Sequence, residues 1–131
     1  MSARTPKKKA NCPSKSCCFE MEWPPSINHY WRNWNSRTVL LMSGKLYRLA
    51  AENKTRERFM GDVRVDIALS YPDKRRRDID NILKPILDAI GHAGIYKDDS
   101  QVKELYVCHR TDIPYTDGGN VVVQISERAS E

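Results

Sequence analysis

Val63, Val65, Ile67 and Leu69 alternate with Asp62, Arg64, Asp66 and Ala68. A period of two marks a strand with one buried face and one wet face. Tyr71-Pro72-Asp73 ends this strand. After a charged run the period changes, and Ile82, Leu83, Ile86, Leu87 and Ile90 fall on one face of a helix that runs to about residue 93. Gly91 and Gly94 close that helix. Pro85 has no N–H to give, which predicts a place in or near the first turn, with Asp80 or Asn81 near the N-cap. A one-sided strand joined to a one-sided helix buries both apolar surfaces only if a sheet layer packs on a helix layer.

The remaining segments extend this pattern. Cys18-Phe19-Glu20-Met21-Glu22-Trp23 alternates as a strand and is ended by Pro24-Pro25. Ser43-Gly44 precedes a predicted helix at about residues 45–59, with Leu46, Tyr47, Leu49, Ala50 and Ala51 on a broad face, and Gly61 breaks it. Residues 95–100 read as a loop. Two strands follow at about residues 101–109 and 120–126, joined through Pro114, Gly118 and Gly119. The expected fold is a two-layer α+β domain with a mixed or antiparallel sheet packed on helices. With 131 residues, one domain is the expected count.

Charge is distributed unevenly. The chain has 22 Lys and Arg against 17 Asp and Glu, a formal charge of +5. Arg4, Lys7, Lys8, Lys9 and Lys15 supply all of that excess within residues 1–18, which hold no acid. Residues 1–18 therefore read as a disordered basic tail, and residues 19–131 as a domain with balanced charge. No apolar run reaches the roughly 20 residues needed to cross a bilayer, and no apolar stretch follows the early basic residues. The expectation is a cytoplasmic protein with no membrane contact. Cys12, Cys17, Cys18 and Cys108 then stay reduced, and the C-x4-C-C spacing matches no standard zinc site.

In the balanced body, Lys74-Arg75-Arg76-Arg77-Asp78-Ile79-Asp80-Asn81 places cations directly beside carboxylates. Hydrolysis of a phosphodiester needs both: hard oxygen ligands for Mg²⁺, and cations for the neighbouring phosphates. In extended chain, residues two apart share a side, so Asp78 and Asp80 would face one ion while Ile79 points inward. Asp98-Asp99 offers a third carboxylate only if the chain doubles back over a helix about 20 Å long. Lys84 lies four residues after Asp80, one helical turn on, in reach of a phosphate or of an ion pair with Asp80 or Asp88. His29, His92 and His109 fit no metal spacing and read as structural. Tyr30, Trp31 and Trp34, with Arg32 and Arg37 among them, suit either packing or base stacking.

The chain resembles the RusA family of Holliday junction resolvases. The residues that carry the resemblance are Trp23-Pro24-Pro25-Ser26, Asn28 and Tyr30; then Arg75 to Asn81 with Lys84 and Asp88; then Gly94 and Asp98-Asp99-Ser100-Gln101-Val102. They span roughly residues 19–126. The resemblance implies a homodimer that cuts four-way DNA junctions with Mg²⁺, or Mn²⁺ in its place. Asp78, Asp80 and Asp99 match the family's catalytic, metal-binding carboxylates, and Lys84 its catalytic lysine. Lys74, Arg75, Arg76, Arg77 and Asn81 match its DNA-contacting stretch. Residues 1–18 have no counterpart in the family core, and the segment from Tyr30 to Gly61 matches loosely. Alternatives are a branched-DNA binder that does not cut, and a broader flap or fork nuclease. A nucleotide phosphohydrolase has little support, because the chain lacks a phosphate-cradling glycine-rich loop.

Overall fold

The computed structural model describes residues 15–35 and 37–128. Along the chain come β1 (Ser16–Met21), α1 (Ile27–Tyr30), β2 (Trp31–Trp34), β3 (Arg37–Leu40), α2 (Met42–Ala51) and β4 (Val63–Ser70). They are followed by α3 (Ile79–His92), a 3₁₀ turn (Asp99–Gln101), β5 (Val102–His109) and β6 (Asn120–Glu127). Four strands form one sheet in the order β1-β6-β4-β5, and β2 and β3 form a separate hairpin. β6 is antiparallel to β1 and β4, whereas β4 and β5 are parallel, so the sheet is mixed.

The alternation in β4 gives its buried face: Val63, Val65, Ile67 and Leu69 are all buried. Val121, Val123 and Ile125 of β6 and Phe19 and Met21 of β1 join them. Onto this face pack Tyr30 of α1, Tyr47 and Ala51 of α2, and Ile82, Ile86, Ala89 and Ile90 of α3. Ile86 is fully enclosed, and truncating such a side chain to alanine costs about 2–5 kcal/mol.

The parallel pair governs where functional residues lie. Parallel neighbours cannot be joined by a tight turn, so the chain crosses from the end of β4 to the start of β5, and α3 makes that crossover. The register runs from Val63 opposite Val102 to Leu69 opposite His109. Residues just after β4 and just before β5 therefore lie at opposite ends of α3.

Several expectations need correction. The helix placed at 45–59 runs from Met42 to Ala51 instead, because Asn53 and Lys54 turn the chain toward the bridge at Phe59. The short α1 and the hairpin, each built from four-residue elements, lack enough repeats for a periodic signal. β1 opens at Ser16, so Cys17 and Cys18 belong to the sheet rather than to a tail. Residues 1–14, which hold most of the expected basic tail and Cys12, lie outside the described residues. Cys17, Cys18 and Cys108 are free thiols. α3 starts at Ile79 with Asp78 as N-cap, so neither Asp80 nor Asn81 caps it. Pro85 is the seventh helical residue, beyond the first turn, and is buried. Its ring removes the bond that the Asn81 carbonyl would otherwise accept.

Candidate active site at the two ends of one helix

Asp78 has extended backbone (φ −91°, ψ 128°), and its side chain makes no capping hydrogen bond. Its backbone carbonyl starts the helix by accepting from the N–H groups of Asn81 and Ile82. Asp80 follows within the first turn. Ile79 is not the inward anchor expected of an extended D-x-D: it is 40% exposed, because the helical period takes over at that residue. Lys84 stands one turn beyond Asp80 and is exposed. Among the described residues, Asp78, Asp80 and Lys84 take part in no ion pair. The pairs in this region are Arg75 and Arg77 with Asp73. A helix N-terminus also favours negative charge, which suits acidic side chains at this end of α3.

Beside these acids opens a groove of about 760 Å³ between the Trp23–Asn28 segment and the Arg75–Asp78 segment. Arg77 builds its wall. The guanidinium lies 2.9 Å from Asp73 Oδ1, donates to the carbonyls of Asp73 and Arg75, and sits over the rings of Trp23 and Tyr71 at 5.9 and 5.8 Å. That bond, with the Arg75 backbone N–H, holds the Asp73 carboxyl down to about 2. Trp23 backs onto Gly119, where a Cβ would come within 2.9 Å of the indole and where φ is +78°. Lys74, Arg75 and Arg76 remain exposed.

The other end of α3 is closed by bonds. Asp88 accepts from Arg48 Nε at 2.7 Å and Nη2 at 2.9 Å, and from the Tyr30 hydroxyl at 2.5 Å. Burial, and then the neighbouring Asp88, push the Tyr30 hydroxyl well above its ordinary pKa. Asp98 caps the 3₁₀ turn by accepting from the Ser100 N–H, and the Ser100 side chain together with that backbone bond holds its carboxyl below the usual range. Gln101 locks the same loop. Its Oε1 accepts from the Lys97 and Asp98 N–H groups, and its Nε2 donates to the carbonyls of Phe59 and Gly61. Asp99 is thus presented exposed, against Gly91, where a Cβ would stand 3.4 Å from Asp99 Oδ1.

Asp78, Asp80 and Lys84 therefore share one end of α3, and Asp99 occupies the other. From Asp80 to Gly91 the helix rises about 16 Å. Among the described residues, no three His, Cys, Asp or Glu side chains gather around one point. Asp78 and Asp80 do suit a hard cation. Mg²⁺ is commonly held by one or two carboxylates, with waters and substrate phosphates completing the shell, and both acids are unengaged by described partners. The histidines make local contacts: His29 Nδ1 meets Ser26 Oγ, His92 lies 3.5 Å from Glu52, and His109 stacks on Tyr71.

The sequence pattern included Gln101 but not its role in locking the loop, and it did not single out Arg48. Gln101 was legible as the last member of a D-x-x-Q capping box. Arg48 was not, because its partner Asp88 is 40 residues away.

Unpaired acids beside a cationic groove are the equipment of an enzyme that works on a phosphodiester backbone. Comparison with known proteins narrows that class. The family model described as Endodeoxyribonuclease RusA matches residues 22–126. A "Crossover junction endodeoxyribonuclease rusA" of Enterobacteria phage HK97 is 34% identical, over 86% of this chain and 95% of its own length. Proteins with the same description from Shigella sonnei and Escherichia coli K12 are 37% and 36% identical, over 85% of this chain and 94% of theirs. The chain belongs to the RusA family of endodeoxyribonucleases.

Proposed function

We propose that this protein is a crossover junction endodeoxyribonuclease that resolves four-way DNA by paired cuts, in recombination and repair. The observation that carries this reading is the unpaired Asp78–Asp80 pair at the mouth of an arginine-walled groove. Asp78 and Asp80 would hold a divalent cation, Mg²⁺ or Mn²⁺ in its place, and that ion would supply charge stabilisation at the scissile phosphate and an activated water. Lys84 places an ammonium beside the same phosphate. Lys74, Arg75 and Arg76 hold the flanking backbone, while Arg77 supports them as a strut. Among the described residues no helix is long and apolar enough to cross a membrane. The cytoplasm, where phage and bacterial DNA lies, is the compartment this reading implies.

Asp99 enters the site through a homodimer. Within one chain the parallel crossover keeps it from Asp80. The outward stripe of α3 runs Asp80, Lys84, Leu87 and Gly91, with half-buried Leu83 and Leu87 near its middle. Two copies with their α3 helices antiparallel bring Asp80 of one beside Gly91 and Asp99 of the other, twice over. On the neighbouring α2, Met42, Leu46 and Leu49 are exposed at helical spacing, which suits the same contact. A C2 dimer also matches the approximate two-fold symmetry of a junction.

Purified protein incubated with an end-labelled four-way junction should give symmetric paired nicks with Mg²⁺ and none without it. Asp80→Asn should bind the junction without cutting it, and Asp99→Asn should behave likewise. Mixing those two variants should restore about a quarter of wild-type nicking, since half the dimers then own one intact shared site. Binding without cutting under every metal would overturn the enzyme reading. No recovery on mixing would overturn the shared site alone.

A further inference from the structure

The groove at Asp78 holds more than phosphate chemistry requires. A phosphate clamp needs cations and backbone N–H groups at an exposed surface. This groove instead has an apolar wall of Trp23 and Pro25 and a volume within the range of small-molecule sites. It also exposes two carboxamides, Asn28 and Asn81, on facing elements. Neither side chain is held by another described residue. The Asn81 carbonyl has also lost its helical donor to Pro85. Amides that both donate and accept, set against an apolar wall, are the usual means of reading the edge of an unstacked nucleobase.

The position fits that use. Asp78 lines the groove and also belongs to the proposed catalytic pair. A phosphate at that pair brings its own nucleotide beside the groove. Arg76, exposed on the rim, is free to take a neighbouring phosphate. Arg77, paired with Asp73 and set over the Trp23 and Tyr71 rings, props the groove wall.

We propose that the groove receives one unstacked nucleotide of the cut strand, and that Asn28 and Asn81 read its base, making them the residues that set base preference at the cut. The proposal rests on the junction-cutting reading and adds to it a determinant of sequence choice. A four-way junction suits this mechanism where the protein holds the crossing open, because extrusion costs least where stacking is already lost.

The test uses the full-length protein and junctions randomised around the crossing, with the cut ends sequenced. Wild type should favour one base beside the cut. Asn28→Ala should flatten that preference about tenfold. Asn28→Asp, which exchanges a donor for an acceptor, should change the favoured base. Arg76→Ala should weaken binding to all sequences alike. A second readout needs no cutting: 2-aminopurine at that nucleotide should brighten when the junction binds the inert Asp80→Asn protein. A wild type without base bias, a bias that survives both Asn28 variants, or a probe that stays quenched would each overturn the groove assignment while leaving the nuclease intact. A protein that cuts no junction would overturn the underlying reading, and the groove assignment with it.

Discussion

The two ends of α3 use the same side chain in opposite ways. At the C-terminal end, Asp88 accepts three bonds from Arg48 and Tyr30, and Asp98 caps a turn. At the N-terminal end, Asp78 and Asp80 are bonded to none of the described side chains around them. A carboxylate satisfied by protein donors builds structure, and one left unsatisfied is available to a ligand. Asp99 shows the distinction within two residues: its neighbour Asp98 does the capping, and Asp99 stays free.

This contrast can be broken most directly at Asp80. Asp80→Asn should lower the cutting rate more than about 100-fold, with junction affinity preserved, as measured by nicking assays and gel shifts. Asp88→Ala should reverse the pattern, lowering the free energy of unfolding in urea by about 2–4 kcal/mol by stranding Arg48 and Tyr30. Asp78→Ala, measured the same way, should cost no more than about 1 kcal/mol, since no capping bond is lost and only the charge at the helix N-terminus is removed. An Asp78 variant as unstable as the Asp88 one would erase the distinction.

Gln101→Ala sharpens the comparison at the closed end. Removing its four hydrogen bonds should raise amide exchange across residues 97–102 and cost about 1–2 kcal/mol of local stability. The smallest effect belongs to Asp73. Its carboxyl titrates at about 2 in the folded protein, below the ordinary 3.8. A depressed folded pKa means that this contribution is complete above about pH 4 and fades as pH falls toward 2. An NMR titration should find that midpoint, and Arg77→Ala should move it up toward 3.8.

The core was legible in the sequence because its strands and α3 repeat their period several times. Val63 to Leu69 and Ile82 to Ile90 needed no other information. The D-x-D pair and Lys84 were equally visible as letters, but their geometry was not. Where the extended chain became helical decided which way Ile79 points, and one proline left that start ambiguous by a residue or two. The distance from Asp80 to Asp99 depended on β4 and β5 being parallel, which is a property of strand pairing and not of either strand's pattern. The roles of Asp88 and Arg77 depended on partners brought close by folding or by the turn of a loop, whereas the capping box at Asp98 was local and readable.

The parallel crossover between β4 and β5 also has a consequence for dosage. On the two-copy reading, a lone chain carries only part of a cutting centre. When protein is scarce relative to its dimer Kd, the number of complete centres then grows with the square of its concentration. Halving expression would cut activity fourfold in that regime. A nuclease built this way stays quiet while its chains are few, and becomes effective as they accumulate, without any separate inhibitor.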